Sequence, residues 1–303
     1  MRSRVVLIAL ALAAVVAIAV VIVLNLTGAQ QTPGRTGAPA SVPPGATTVV
    51  AAGDICTPSP DSCAGTAGLV DRLAPDAVLA LGDNQYPDGT LEEYTKSYDR
   101  SWGRFAPITF PVAGNHEWHT EGARGFLEYF DLTAHWYTFT LGDWRLYALD
   151  GTCDENGGCD EGSPQYEWLA GELASREQDC IAAFWHQPRF SSGDTHGSHE
   201  ELAPIWRLLD DAGAEIVLNG HEHNYERFAP QDADGNPTPE GIVEIVAGTG
   251  GNPSSYGFVE PLENSLVRKG GFGVVELSLW GSGWAASFVR TDGRVVDNTS
   301  GSC

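Results

Sequence analysis

His221 and His223, two positions apart in the segment VLNGHEHNYER (217–227), have the spacing that lets two imidazoles serve neighbouring metal ions. A lone His-x-His pair is also found as satisfied polar residues at a strand end, so its meaning depends on what the rest of the chain supplies. Three further segments, VVAAGDIC, AVLALGDNQY and ITFPVAGNHE, end apolar runs on Asp54, Asp83 and Asn115, and CIAAFWHQPRF ends one on His186. These runs are apolar throughout instead of alternating, as in strands buried on both faces. Ligands gather outside the carboxyl ends of such strands. Five strand ends that all present Asp, Asn or His therefore predict one convergent site.

The donor types divide by hardness. Asp54, Asp83 and the phenol of Tyr86 are hard oxygen donors suited to ferric iron, whereas the Asn115 carbonyl and the His186 and His221 nitrogens suit a divalent ion. An unequal metal pair follows, with Asp83 bridging the two ions at about 3.5 Å, the usual two-metal spacing.

Taken together, GD at Gly53 and Asp54, GDNQY, GNHE, His186 in WHQP, and GHEH resemble the five blocks of the purple acid phosphatases within the calcineurin-like metallophosphoesterases, in the same order. The resemblance runs from about residue 47 to the C-terminus. It implies that Asp54, Asp83, Tyr86 and His223 hold a first, ferric ion, and that Asp83, Asn115, His186 and His221 hold a second ion, zinc, iron or manganese. It also places the family's outer histidines at His116 and His196, as groups that bind phosphate or protonate the leaving group. One departure stands out: the family continues its first block as Gly-Asp-x-Gly, but Cys56 occupies the second Gly position. Cys56 has two readings, a thiolate ligand or half of a disulfide with Cys63.

Two cations would spread the transition-state charge and lower the pKa of water from 15.7 to about 7. The expected reaction is direct attack of hydroxide on a phosphomonoester. A phosphodiesterase or nucleotidase on the same scaffold is the rival enzyme; a catalytically silent surface-binding module stabilised by metals is the rival outside enzymology. His119, His135 and His199 have no motif and default to solvent. Glu117, Glu222 and Glu226 are either partners that orient imidazoles or solvated carboxylates. Arg227 contacts substrate or pairs with a surface acid, and the GTGG run (248–251) resembles the glycine-rich loop that closes the family's site.

The elements that would carry these residues fit one α/β domain over residues 47–303. Strand-like runs alternate with helical stretches at 164–177 and 200–211. Ser163 before Pro164 reads as an N-cap, and Ser198 with Glu201 as a capping box. GFGVVELSLW and WAASFVRT read as a closing antiparallel hairpin. The family resemblance makes this two facing mixed β-sheets flanked by helices, a four-layer αββα sandwich, with no room for an extra β-sandwich domain.

Residues 1–27 read as a membrane anchor or signal peptide. Arg2 and Arg4 precede the apolar run 5–24, long enough for a hydrocarbon core of about 30 Å, with an uncleaved anchor preferred over the shorter apolar stretch of a signal peptide. Residues 28–46 form a Gly/Pro-rich linker, and the positive flank puts the catalytic domain outside the cytoplasm. All six cysteines follow the apolar run, consistent with an oxidising compartment. Local loops favour pairing Cys56 with Cys63 and Cys153 with Cys159, leaving Cys180 for Cys303. The formal charge of -23 disfavours nucleic acid as a partner and leaves a small phosphorylated substrate. The membrane enters as a partner only through the N-terminal segment, and the sequence leaves the oligomeric state open.

Overall fold

The computed structural model describes residues 41–59 and 61–303. The expected anchor or signal peptide, and the linker up to residue 40, lie outside the described residues. Among the described residues no helix is long and apolar enough to cross a membrane.

Two mixed sheets face each other. The first contains β1 (Thr47–Ala52), β2 (Ala77–Leu81), β3 (Thr109–Val112), β11 (Gly273–Trp280), β12 (Gly283–Arg290) and β13 (Val295–Gly301), in the order β13-β12-β11-β1-β2-β3. Here β1, β2 and β3 run parallel, and β11 lies antiparallel to β1, so the expected β11–β12 hairpin completes the sheet begun by the first strand. The second sheet has the order β10-β8-β9-β7-β6-β5-β4, from β4 (Tyr137–Leu141), β5 (Trp144–Ala148), β6 (Cys180–Phe184), β7 (Ile216–Asn219), β8 (Tyr225–Phe228), β9 (Val243–Ala247) and β10 (Ser265–Lys269). Its centre, β5 to β9 through β6 and β7, is parallel.

Burial on both faces explains the unbroken apolar runs. In β1, Val49 and Ala51 join Leu79, Leu146, Phe184, Leu218 and Ile245 in the core between the sheets. The alternate residues Val50 and Ala52 pack outward against Ala67 and Val70 of helix α1 (Ala64–Leu73), with Tyr94 of α2 (Leu91–Lys96) and Phe126 of α3 (Arg124–Tyr129) in the same cluster. On the far side, Ile181, Ala183 and Val217 meet Leu169 and Leu173 of α4 (Pro164–Ser175) and Trp206 and Leu209 of α5 (Ala203–Asp211). Four layers result, as the family resemblance implies.

Local signals fare unevenly. The Ser163 hydroxyl accepts from Tyr166 N and caps α4. The expected capping box at Ser198 and Glu201 does not form: residues Glu200–Leu202 make a 3-10 turn, and α5 starts at Ala203. Ser198 instead accepts from Ser191 N within its own loop, and Glu201 takes the His199 ring at 2.8 Å. A capping box does form at Thr90 and Glu93, opening α2. All three expected disulfides are present, Cys56–Cys63, Cys153–Cys159 and Cys180–Cys303, the last tying the start of β6 to the C-terminus. Cys56 is therefore no thiolate donor. Arg227 pairs through two hydrogen bonds with the partly buried Asp297, the acid-pairing alternative of the two expected for it.

Candidate active site

Asp54, Asp83, Asn115, His186 and His221 sit just past the carboxyl ends of β1, β2, β3, β6 and β7, where parallel strands of both sheets deliver them to one edge. Three of them, Asp54 (φ 58), Asp83 (φ 46) and His221 (φ 69), hold left-handed backbone. Such a conformation costs a non-glycine residue roughly 1–3 kcal/mol and persists only where the surroundings over-determine it. The turn that follows each strand is thereby sharp enough to aim the side chain back over the sheet edge. Crowding sets the residue ahead of the donor: a Cβ on Gly114 would lie 2.2 Å from Asp83 Oδ1, and one on Gly220 would lie 2.8 Å from Asp54 Oδ2.

The donors form two abutting groups. In one, the Tyr86 hydroxyl lies 2.8 Å from Asp54 Oδ1 and 3.1 Å from His223 Nε2, and that same nitrogen lies 3.1 Å from Asp54 Oδ1. In the other, Asp83 Oδ2 is 3.3 Å from His186 Nε2, which is 3.2 Å from His221 Nδ1. One ligand atom each from Asp83, His186 and His221 falls within 4.8 Å of the others. Asp83 Oδ2 belongs to both groups, because it also accepts from the Tyr86 hydroxyl at 3.0 Å. Backbone carbonyls fix the rings: His186 Nδ1 donates to Leu81 O at 2.8 Å and His223 Nδ1 to Ser254 O at 2.9 Å, leaving each Nε2 toward the carboxylates.

Electrostatics sharpen the picture. Burial disfavours charge on His186, but Asp83, with Asp54 and the Leu81 carbonyl, pushes the imidazole up to about 10. Burial, then Asp54 and Asp83, hold the Tyr86 phenol well above its ordinary range. Asn115 Oδ1 is buried and accepts no hydrogen bond, the condition of a neutral carbonyl whose partner is not a protein donor. Buried carboxylates, an unpartnered carbonyl and converging ring nitrogens together fit cation binding, with Asp54, Tyr86 and His223 in one group, His186 and His221 in the other and Asp83 between.

Both outer histidines come to this site. His116 donates its backbone N–H to Asp83 Oδ1 at 2.9 Å, sets its ring 4.3 Å from Tyr86, and hydrogen-bonds Pro87 O through Nδ1. Its Nε2 is 3.8 Å from Asp83 Oδ2. His196 packs its ring 4.0 Å from His221. His199, expected in solvent, is instead half-buried with its ring 5.1 Å from His221. His135 is half-buried too, tilted against Trp118, while His119 is exposed beside Asp88. Tyr256, which no sequence signal marked, stacks on His223 at 4.1 Å and 9°.

Neither expectation for the three glutamates holds. Glu117, Glu222 and Glu226 are fully buried, and they bind backbone amides, not imidazoles. Glu117 accepts from the N–H groups of Asp83, Asn84, Gln85 and Gly114 and from the Tyr94 hydroxyl. Burial and the adjoining Asp83 charge push its pKa up to about 8, against the pull of those donors. Glu222 takes the N–H groups of His196 and Gly197, each at 2.7 Å, and Glu226 that of Ser192 at 2.8 Å. Glu244 adds Arg189 and Phe190. The loop bearing His196 is thus pinned along its length by buried carboxylates. It pairs in turn with the loop after β9, through Val259 N to Ser192 O at 2.9 Å and Asp194 N to Gly257 O at 3.2 Å. The GTGG run closes the Asp54 side, with Gly250 N donating to Gly53 O and Asn252 N to Asp54 O.

The model of the calcineurin-like phosphoesterase family matches residues 47–225, from β1 through every donor of the site. The chain belongs to this family. Among curated relatives, purple acid phosphatase 15 of Arabidopsis thaliana is 28% identical over 221 residues, 59% of this chain and 40% of that protein. A nucleotide pyrophosphatase/phosphodiesterase of Hordeum vulgare is 26% identical over 289 residues, 77% of this chain and 75% of that one. The chain spans less than half the length of the first curated relatives it matches. Among solved structures, a purple acid phosphatase from yellow lupin seeds superposes with a TM-score of 0.69 at 21% identity, over 84% of this chain and 53% of the other, which establishes the common fold. Within the family, the loop after β9 with Tyr256 lies outside the matched span.

Proposed function

We propose that this phosphoesterase hydrolyses phosphomonoesters at a binuclear centre held by Asp54, Asp83, Tyr86, Asn115, His186, His221 and His223. The observation that carries the reading is the position of Asp83 Oδ2, 3.0 Å from Tyr86 and 3.3 Å from His186, between an oxygen-rich group and a nitrogen-rich one. That asymmetry favours a ferric ion beside Tyr86 and zinc, iron or manganese beside His186. Bound there, the pair would supply Lewis-acid charge and make water acidic enough to ionise near neutral pH.

The side chains around it do the rest. Asn115, His186 and His221 orient one half of the site, and the left-handed turns keep Asp54 and Asp83 from swinging away. The Pro87 carbonyl fixes the His116 ring so that Nε2 faces the Asp83 side. From there Nε2–H donates to the ester oxygen as the P–O bond breaks, while water oxygen bonds to phosphorus from the opposite side. His196, anchored through Glu222, offers a second polar group to a phosphoryl oxygen. With no serine or thiolate among these residues, the phosphoryl group passes straight to water.

Three disulfides and the apolar N-terminal run support an exported protein, secreted or tethered by that segment. The strongly acidic surface supports a small substrate over nucleic acid. A diesterase or nucleotidase remains the second reading, favoured by the barley relative's name. Turnover of para-nitrophenyl phosphate against bis(para-nitrophenyl) phosphate, with metal content determined on the same sample, separates these. Faster cleavage of the monoester supports the proposal, faster cleavage of the diester replaces it, and a metal-loaded but inert protein leaves a surface-binding module.

A further inference from the structure

The loop after β9 also frames a cleft of about 250 Å³ beside the site, walled by His223, Asn252, Pro253, Ser255 and Phe272. Two of these belong to the metal side as well: His223 Nε2 faces Asp54, and the Asn252 amide lies beside the Tyr86 phenol. His223 and Asn252 are thus a wall shared by the cleft and the Asp54 side of the site. Apart from His223 its lining carries no ionisable side chain. The Arg290 guanidinium lies against Gly271 at one wall, within 3.4 Å of where a Cβ there would sit. Phe272 contributes an aromatic ring from a residue that is 41% exposed, where most large apolar side chains of the described residues are buried. Drug-sized ligands occupy roughly 300–1,000 Å³, so this volume suits a single ring system and not a polymer.

We propose that this cleft is the leaving-group pocket and that it takes an aromatic alcohol portion, stacked against Phe272. The assignment rests on the phosphomonoesterase reading above. The pocket selects among monoesters by what hangs from the ester oxygen, with the hydroxyls of Ser254 and Ser255 available to polar substituents on the ring.

Equilibrium binding of phenylphosphonate and methylphosphonate to the metal-loaded protein tests this without turnover. The wild type should hold the phenyl compound about 3- to 10-fold more tightly, the range of one aromatic contact. Phe272→Ala should bring that ratio to about 1 by weakening the phenyl compound alone, and Phe272→Leu, which keeps apolar bulk without the ring, should fall between. A ratio unchanged in Phe272→Ala, or an equal loss for both phosphonates, overturns the pocket assignment. Failure of both phosphonates to bind the wild type would instead strike at the phosphoester reading itself, and the pocket would fall with it.

Discussion

The Tyr86 hydroxyl donates to Asp83 Oδ2 at 3.0 Å, although the two residues are only three apart in the same loop. The chain between them must therefore turn back on itself, and the amides of Asp83, Asn84 and Gln85, which would otherwise be left inside that turn without partners, all end on the Glu117 carboxylate.

Removing that carboxylate should be severe. Glu117→Leu leaves four buried N–H groups and the Tyr94 hydroxyl unpaired, a loss of at least about 3 kcal/mol. Glu117→Gln, which keeps one acceptor oxygen, should lose less. Denaturant unfolding of the two variants measures both, and equal stability of Glu117→Leu and wild type would refute this role.

If Tyr86 binds a ferric ion as its phenolate, the oxidised protein should absorb in the visible through charge transfer. Tyr86→Phe should abolish the band. A colourless, fully active and iron-free wild type would remove the ferric assignment.

In the proposed centre Asp83 serves both halves and Asn115 only one. Elemental analysis should find both ions lost from Asp83→Ala, but mainly the divalent ion lost from Asn115→Ala. Equal depletion in the Asn115 variant would argue against this division.

His116→Ala should keep its metals and lose about 10²- to 10⁴-fold in kcat, the range for general acid catalysis. The loss should be larger on an alkyl phosphate than on para-nitrophenyl phosphate, whose leaving group needs no proton. An equal defect on both would exclude proton donation and leave phosphate binding.

Stability should fall as pH rises through the neutral range. Burial outweighs the Ile181 amide and pushes the Glu215 carboxyl from 4.5 up to about 7. The folded state then holds a proton that the unfolded chain has released, so the contribution is complete below about 4.5 and lost as pH climbs through about 7. Glu215→Gln, which still accepts from Ile181, should show a flatter dependence between pH 5 and 8 in denaturant midpoints. An unchanged slope would assign the effect to other groups.

Much of the site was legible because each donor follows a buried strand, and strand ends can be read from apolar runs. The two facing sheets followed from the family resemblance; short loops gave Cys56–Cys63 and Cys153–Cys159, and Cys180–Cys303, 123 residues apart, was what remained. Glu117, Glu222 and Glu226 were not legible, since their partners are backbone amides that carry no residue signature. Tyr256 and His199 escaped because they arrive on loops whose paths depend on contacts with one another, Ser192 with Val259 among them. Ser198 failed as a cap because its hydroxyl had a nearer amide within its own loop.

The pairing of β1 with β11 sets a timetable for synthesis. Residues 47–51 cannot complete their hydrogen bonds on that side until residues 275–279 have left the ribosome, and the glycine-rich loop that braces Asp54 also comes late. Contacts so distant along the chain are slow to form. The donors from Asp54 to His223 will have been translated well before the sheet that aligns them is whole, so a nascent chain would carry the ligands without the rigid geometry. The proposed hydrolytic competence would then be acquired at the end of folding, and metal capture would report that the first and eleventh strands have met.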